Sequence, residues 1–312
     1  MTSPAQASSN QVTDPTFRSY TAAQASDYHQ ARPQYPPELY AYIFHEHEKT
    51  GGKFSQLLDL GSGPGLATRD LAPAFDHAVG ADPGVSMIDV AKQKGGSTKT
   101  GEPIRWEVCA SEDSAKLCGE GEVDLLTGAT TAHWWDMAGF WPQAAHLVKP
   151  GGTVALFSRC HYSIHPSTPN FEEMTRTIEA WREKYLLPHR VLGNELVGDF
   201  YENLGKPWES TPEAAAAFPE SQFSSRIWNR NNQLDGPDGT DFFGGSMVLT
   251  EKQILAVLST SSMVTRWREA HPDLAGTDED VVKVLIRDFK GLGGADGIRT
   301  ASGLVVLLFK RV

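Results

Sequence analysis

Three cysteines in 312 residues, Cys109, Cys118 and Cys160, make an odd set with no C-x-x-C step. That excludes a disulfide framework and a cysteine-ligated zinc site, and no other metal-ligand spacing stands out. No apolar run approaches the roughly 20 residues that a helix needs to cross a bilayer. Basic residues are in deficit: 28 Lys and Arg face 39 Asp and Glu, a net charge of −11. A nucleic-acid phosphate track wants a basic face, so nucleic acid is set aside as a partner, while local arginines keep a small anion open. Residues 1–16 are polar and small, lack the charged-then-apolar order of a secretory leader, and read as a disordered tail. These absences predict a cytoplasmic protein with no membrane segment. No internal repeat is present.

What is there is ordinary in bulk and concentrated in place. With 40% hydrophobic and 21% charged residues, the chain has the composition of a globular protein long enough for one large domain or a core with an inserted cap. The informative stretch is 57–82, LLDLGSGPGLATRDLAPAFDHAVGAD. It reads as a short apolar strand, a glycine turn, a helix, and a second strand stopped by Asp82. Glycines at alternate positions, Gly61, Gly63 and Gly65, let the backbone turn sharply and let a ligand approach where a Cβ would stand. The following helix offers unpaired N–H groups to the turn. Asp82, at the carboxyl end of the second strand, is placed to accept both hydroxyls of a ribose. A dinucleotide fingerprint wants G-x-G-x-x-G, and here Leu66 stands where its last glycine belongs. Asp59 precedes the glycines by two residues; a carboxylate there repels a pyrophosphate and suits an ammonium group.

The G-x-G-x-G turn, Asp59 and Asp82 resemble the first motifs of class I S-adenosylmethionine-dependent methyltransferases. Tyr28, Arg32, Pro33, Tyr35 and Pro36, in the order Y-x-x-x-R-P-x-Y-P, and the segment Ala132-His133-Trp134-Trp135-Asp136 narrow the resemblance to trans-aconitate methyltransferase-like enzymes. The K-P-G-G turn 149–152 is a further mark of class I. The resemblance implies a doubly wound, seven-stranded α/β sheet, its last strand antiparallel, with amino-terminal lid helices and an inserted substrate cap. The expected division is a tail 1–16, lid helices 17–50, a cofactor-binding core 51–158, a cap 159–249 and a carboxyl-terminal part of the core 250–312. The expected strands are 57–60, 78–81, 104–108, 123–127, 153–158, 263–267 and 304–309. Residues 223–228 alternate like a strand within the cap. Phe171, Met174, Ile178, Trp181 and Tyr185 recur at three- and four-residue steps as a helical core stripe, opposite a charged face that includes Glu179 and Arg182.

For the cofactor, S-adenosylmethionine, the resemblance implies contacts from Tyr28, Asp59, Gly61, Ser62, Gly63, Gly65, Asp82, Pro83, Met87 and Thr127. The resemblance also implies that Ser111, Glu112 or Asp113, after the third strand, meets the adenine amino group; the same residues also fit a plain helix cap. His133, Trp134 and Arg32 form the candidate catalytic set, with His133 equally readable as a structural histidine. Substrate candidates are Tyr20, Arg159, Arg190, Trp208, Arg226, Trp228 and Arg230. A carboxylate acceptor is already ionised at pH 7 and needs no base. Arginines then serve best on a second, non-reacting carboxylate. The leading expectation is therefore O-methylation of a small di- or tricarboxylic acid, aliphatic or flat and aromatic, by a monomer or homodimer. The alternative is methylation of a secondary-metabolite hydroxyl or amine, for which His133 or His161 would be the base. An NAD-dependent oxidoreductase and a non-catalytic S-adenosylmethionine-binding protein are the readings from other classes.

Overall fold

A computed structural model describes residues 20–294 and 297–312; the tail expected at 1–16 lies outside the described residues. Strands β1 (Gln56–Leu60), β2 (His77–Asp82), β3 (Arg105–Val108), β4 (Val123–Ala129) and β5 (Val148–Ile164) run parallel in the order β3-β2-β1-β4-β5. Beyond β5 the sheet turns antiparallel. β8 (Ile298–Lys310) pairs with β5, and β6 (Phe223–Trp228) and the short β7 (Met247–Leu249) pair with different parts of β8. The strand order reverses between β1 and β4. Asp59 faces Gly80 on one side and Thr127 on the other, so the carboxyl ends of three strands meet at one crevice. Such a switch point is where open α/β sheets bind ligands.

The helices follow their local signals. α1 (Ala22–Ala31) opens on a Thr21–Gln24 capping box, and α2 (Pro37–Lys49) begins on a proline, which loses no helical hydrogen bond there. α3 (Leu66–Leu71) and α4 (Val85–Lys94) flank β2, and α5 (Met137–Leu147) is capped by the Asp136 carboxylate. α6 (Phe171–Trp181) runs into a wider π turn through Leu186; α7 (Leu192–Gly198) and α8 (Pro212–Ala217) follow. α9 (Glu251–Ser259) carries the expected T-x-x-Q capping box at Thr250, and α10 (Ser262–Ala270) and α11 (Val281–Gly291) complete the set. Leu304 to Phe309 are all buried, as a continuous apolar strand covered on both faces must be.

Three expectations are corrected. Residues 263–267, expected as the sixth strand, lie inside α10, where Val264 and Trp267 fall three apart on one buried helical face. A short apolar run does not distinguish strand from helix by itself. The sheet has eight strands because 223–228 and 247–249 both join it. Residues 159–249 are therefore not wholly a cap: their first residues extend β5, and β6 and β7 are sheet strands. Conversely, α9, α10 and α11 pack with α6 in a core of their own around Met174, Trp181, Val264, Trp267 and Leu285. That helical layer rests on Ile164, Leu249 and Ile298 at the outer end of β5, β7 and β8. Among the described residues no helix is long and apolar enough to cross a membrane.

Candidate active site

A cavity of about 440 Å³ opens at the switch point. One end is the glycine turn. Gly61, Gly63 and Gly65 hold φ of 61°, 54° and 84°, a left-handed backbone that other residues adopt at a cost. A Cβ on Gly61 would stand 2.0 Å from Thr131 Oγ1, so that glycine allows close packing. A Cβ on Gly63 would meet nothing within 4 Å, so that glycine leaves open space at the cavity wall. Asp82 fixes the turn: its Oδ2 accepts from Gly63 N at 2.9 Å and its Oδ1 from Gly84 N at 2.7 Å. Tyr28, Gly61, Ser62, Gly63, Asp82 and Met87 all line this end. Met87 is buried with Ala25 and Val90, joining α4 to α1.

The other expected cofactor residues sit behind the wall. Asp59 is fully buried; its carboxylate accepts from Thr68 Oγ1 at 2.5 Å and Thr127 Oγ1 at 2.6 Å. Burial pushes its pKa up to about 6 against the pull of those two hydroxyls. Asp59 and Thr127 thus tie α3 to β4 beneath the turn. Gly65 starts α3 against Trp106, and Pro83 follows Asp82 outside the lining. Glu112 is spent on Asp136 N at 2.8 Å, whereas Ser111 Oγ is buried without a partner among the described residues. A turn stripped of Cβ atoms, a carboxylate at the end of β2 and an apolar wall at Met87 form a cavity end that fits S-adenosylmethionine.

The opposite end is cationic. Arg32 lies 4.8 Å over the Tyr28 ring and donates to Thr260 O at 3.0 Å; its Nε is buried and unpartnered. Arg159 lies 4.9 Å over Tyr35, donates to Ser302 Oγ at 3.2 Å and to Gln34 O, and also keeps a buried, unpartnered Nε. Arg182 joins them on the wall, with burial holding its pKa down. Thr130 is a non-glycine residue at φ 52°, a conformation that costs about 1–3 kcal/mol. It is held there by Tyr35 Oη, by Ser158 Oγ at 3.3 Å and by Arg159 N at 3.2 Å.

His133 and Trp134 line the cavity in ring contact, 4.6 Å between centroids. His133 Nδ1 bonds Tyr201 Oη at 2.8 Å. Burial, aided by Arg32, lowers its pKa to about 3, and burial with Arg182 and Arg230 lowers that of His161 to about 4. Both imidazoles are neutral and poor proton acceptors. Trp135, the other tryptophan of the segment, packs in the core against Phe140.

Six expected substrate residues lie off the cavity wall. Tyr20 is buried behind Tyr28, ring edge to ring at 6.4 Å. Arg190 is exposed and paired with Glu195 at 3.2 Å. Trp208 packs on Phe223 and Phe309, and Trp228 stacks on Phe243 at 4.3 Å. Arg226 lies over Trp228 on the exposed face of β6, and Arg230 is paired with Glu202 at 2.6 Å. In their place the wall holds Thr175, Ile178, Glu179 and Arg182; Ile178 belongs to the stripe expected in the core, while Glu179 and Arg182 come from the charged face of α6 and its π turn. Their spacing of three, one and three residues was the signal for a stripe. Asn194, Asn231 and Asn232 come from loops and a short helix that carried none.

Residues 58–156 match the family model described as a methyltransferase domain. The chain is 26% identical over 274 residues to Probable S-adenosylmethionine-dependent methyltransferase CRG1 of Saccharomyces cerevisiae, covering 86% of this chain and 87% of that one. It is 31% identical over 149 residues to Methyltransferase cfoB of Aspergillus candidus, covering 47% and 46%. Among solved structures, one described as a type II methyltransferase from Anaeromyxobacter dehalogenans superposes with a TM-score of 0.62 at 19% identity, over 90% of this chain and 97% of that one, and shows the same fold. With the switch-point cavity and the glycine turn in place, residues 58–156 form a methyltransferase domain, and the chain is a methyltransferase that takes S-adenosylmethionine as its cofactor.

Proposed function

We propose that the enzyme esterifies one carboxylate of a small di- or tricarboxylic acid. The observation that carries this reading is the arginine end of the cavity. Arg32, Arg159 and Arg182 share a wall on which Glu179 is the acidic neighbour, in a chain whose net charge is −11. Among the described residues, two of the three retain a buried, unpartnered Nε. A buried N–H without an acceptor is costly, and a carboxylate oxygen would satisfy it.

S-adenosylmethionine, when bound, supplies an electrophilic methyl group on a sulfonium. Asp82 and the glycine turn would hold its ribose, Met87 would wall its purine, and Ser111 would meet its adenine. On the substrate side, Arg32 and Arg159 would grip the carboxylate that does not react, because an arginine on the reacting one would lower its nucleophilicity. Trp134 and the neutral His133 would wall the reacting group, and α1 and α6 would shut out water as lid and cap. Making an ester from a carboxylate takes up no proton, so a site whose two histidines stay neutral suits it. Three free thiols suit a reducing cytoplasm.

The test is transfer of labelled methyl from S-adenosylmethionine to matched diacids, mono-acids and phenols. Diacids turning over at least tenfold better than mono-acids support the reading. Turnover of the phenol alone overturns it in favour of hydroxyl methylation.

A further inference from the structure

A second, smaller cavity of about 40 Å³ adjoins the first beneath α9. The two share Tyr162, Ile164, Ile178, Val257 and Leu258 as a common wall. The smaller chamber is otherwise lined by side chains of the core that α6 forms with α9, α10 and α11, among them Leu285 and Phe289. Of its lining, only Tyr162 and Thr300 carry a polar side-chain atom. The Thr300 hydroxyl is already spent, donating to Ser163 O at 2.6 Å. The Tyr162 hydroxyl feels the charges of Arg32 and Arg159, which pull its burial-raised pKa back down. Tyr162 thus serves both spaces, with its polar end in the field of the arginines and its side chain on the apolar wall. A buried water needs about two to four polar partners, and this chamber's side chains offer one at most, the Tyr162 hydroxyl. By volume it holds roughly three water-sized groups, about what a short alkyl branch or a ring edge occupies.

We infer that the acceptor is an amphiphilic acid whose non-reacting carboxylate meets Arg32 and Arg159 while an apolar branch of about three carbons enters the chamber behind Tyr162 and Ile178. This rests on the carboxylate reading for the head of the molecule and on the chamber alone for its tail. Leu249 and Ile254, which line the smaller chamber and not the main cavity, are then the residues that set tail length. Each methylene that enters a dry apolar space raises affinity about fourfold, so three carbons give about 60-fold.

The test measures calorimetric affinity for the full chain saturated with S-adenosylhomocysteine. One ligand series is the 2-alkylsuccinates, from unsubstituted to hexyl; the second is the matched uncharged 2-alkylbutane-1,4-diols. Affinity is expected to rise about fourfold per carbon to propyl and then level off, with an increasingly negative heat-capacity change. Leu249→Phe and Ile254→Phe, at residues that line the smaller chamber and not the main cavity, should flatten that rise while the unsubstituted diacid binds as before and the melting temperature stays within a few degrees. A flat series in both ligand sets overturns the proposal. A rise confined to the diols keeps the chamber and overturns the acid head. A rise that both phenylalanine variants leave untouched, in variants that stay folded, also overturns the assignment.

Discussion

At the glycine end of the cavity the walls come largely from 61–87, one unbroken βαβ stretch, with Tyr28 added from α1. At the arginine end they come from 32–35, 129–134, 159–164, 175–197, 231–232 and 257–263. The first end is made by backbone: left-handed glycines, and a carboxylate that holds two peptide N–H groups. The second is made by long side chains that reach in from distant elements. A backbone-built site has one ligand geometry, and its residues are close in sequence because the turn requires it. A side-chain-built site can change ligand by exchanging a few residues while the fold stands.

The comparison is broken most severely at Asp82. Asp82→Ala removes the acceptor for Gly63 N and Gly84 N and the proposed ribose partner. Affinity for S-adenosylhomocysteine is expected to fall at least 100-fold by calorimetry, with a stability loss of about 1–3 kcal/mol.

Asp59 tests whether the first end is held from beneath. Its carboxyl titrates near pH 6 in the fold against 3.8 for the ordinary side chain. Folding therefore takes up a proton between those values. The stability from this group is fully present below about pH 3.8 and is lost as pH rises through about 6. Asp59→Asn should remove that component. The wild-type-minus-variant unfolding free energy is expected to fall by about 2–3 kcal/mol between pH 4 and 7 in urea titrations. A flat difference would mean the buried carboxylate is ionised throughout.

Arg32→Gln and Arg159→Gln address the second end alone. Each should cost about 10- to 100-fold in kcat/KM for a diacid, the worth of a charge-assisted hydrogen bond. Affinity for S-adenosylhomocysteine should stay within about threefold. A parallel loss of cofactor binding would show that the two ends are not separable.

The smallest effect is expected at His133. With a pKa near 3 it has no titration to contribute between pH 5 and 8. The kcat/KM profile for an acid should be level there, and His133→Gln should lower kcat less than tenfold. A limb near pH 6.5 that the variant abolishes would restore a base at this position.

The same contrast explains what the sequence disclosed. The glycine turn and Asp82 are local: each is a few adjacent residues whose chemistry is complete in the chain. Arg159 was reachable because it follows a strand at the switch point. Arg182 was not, because a charged residue opposite an apolar stripe reads as solvated until the fold sets that face on the cavity wall. Trp208, Trp228 and Arg230 failed for the converse reason, since their partners Phe309, Phe243 and Glu202 are supplied by packing. The strand expected at 263–267 failed because five residues, Met-Val-Thr-Arg-Trp, are too few to carry a period that separates strand from helix.

The most direct measurement is the kcat/KM ratio between a diacid and its mono-amide, in the wild type and in Arg159→Gln. A second carboxylate gripped by arginine predicts a wild-type ratio of about 10 to 100 that falls toward one in the variant. A wild-type ratio of one, unchanged by Arg159→Gln, would contradict the account and leave the arginine wall without a carboxylate to hold.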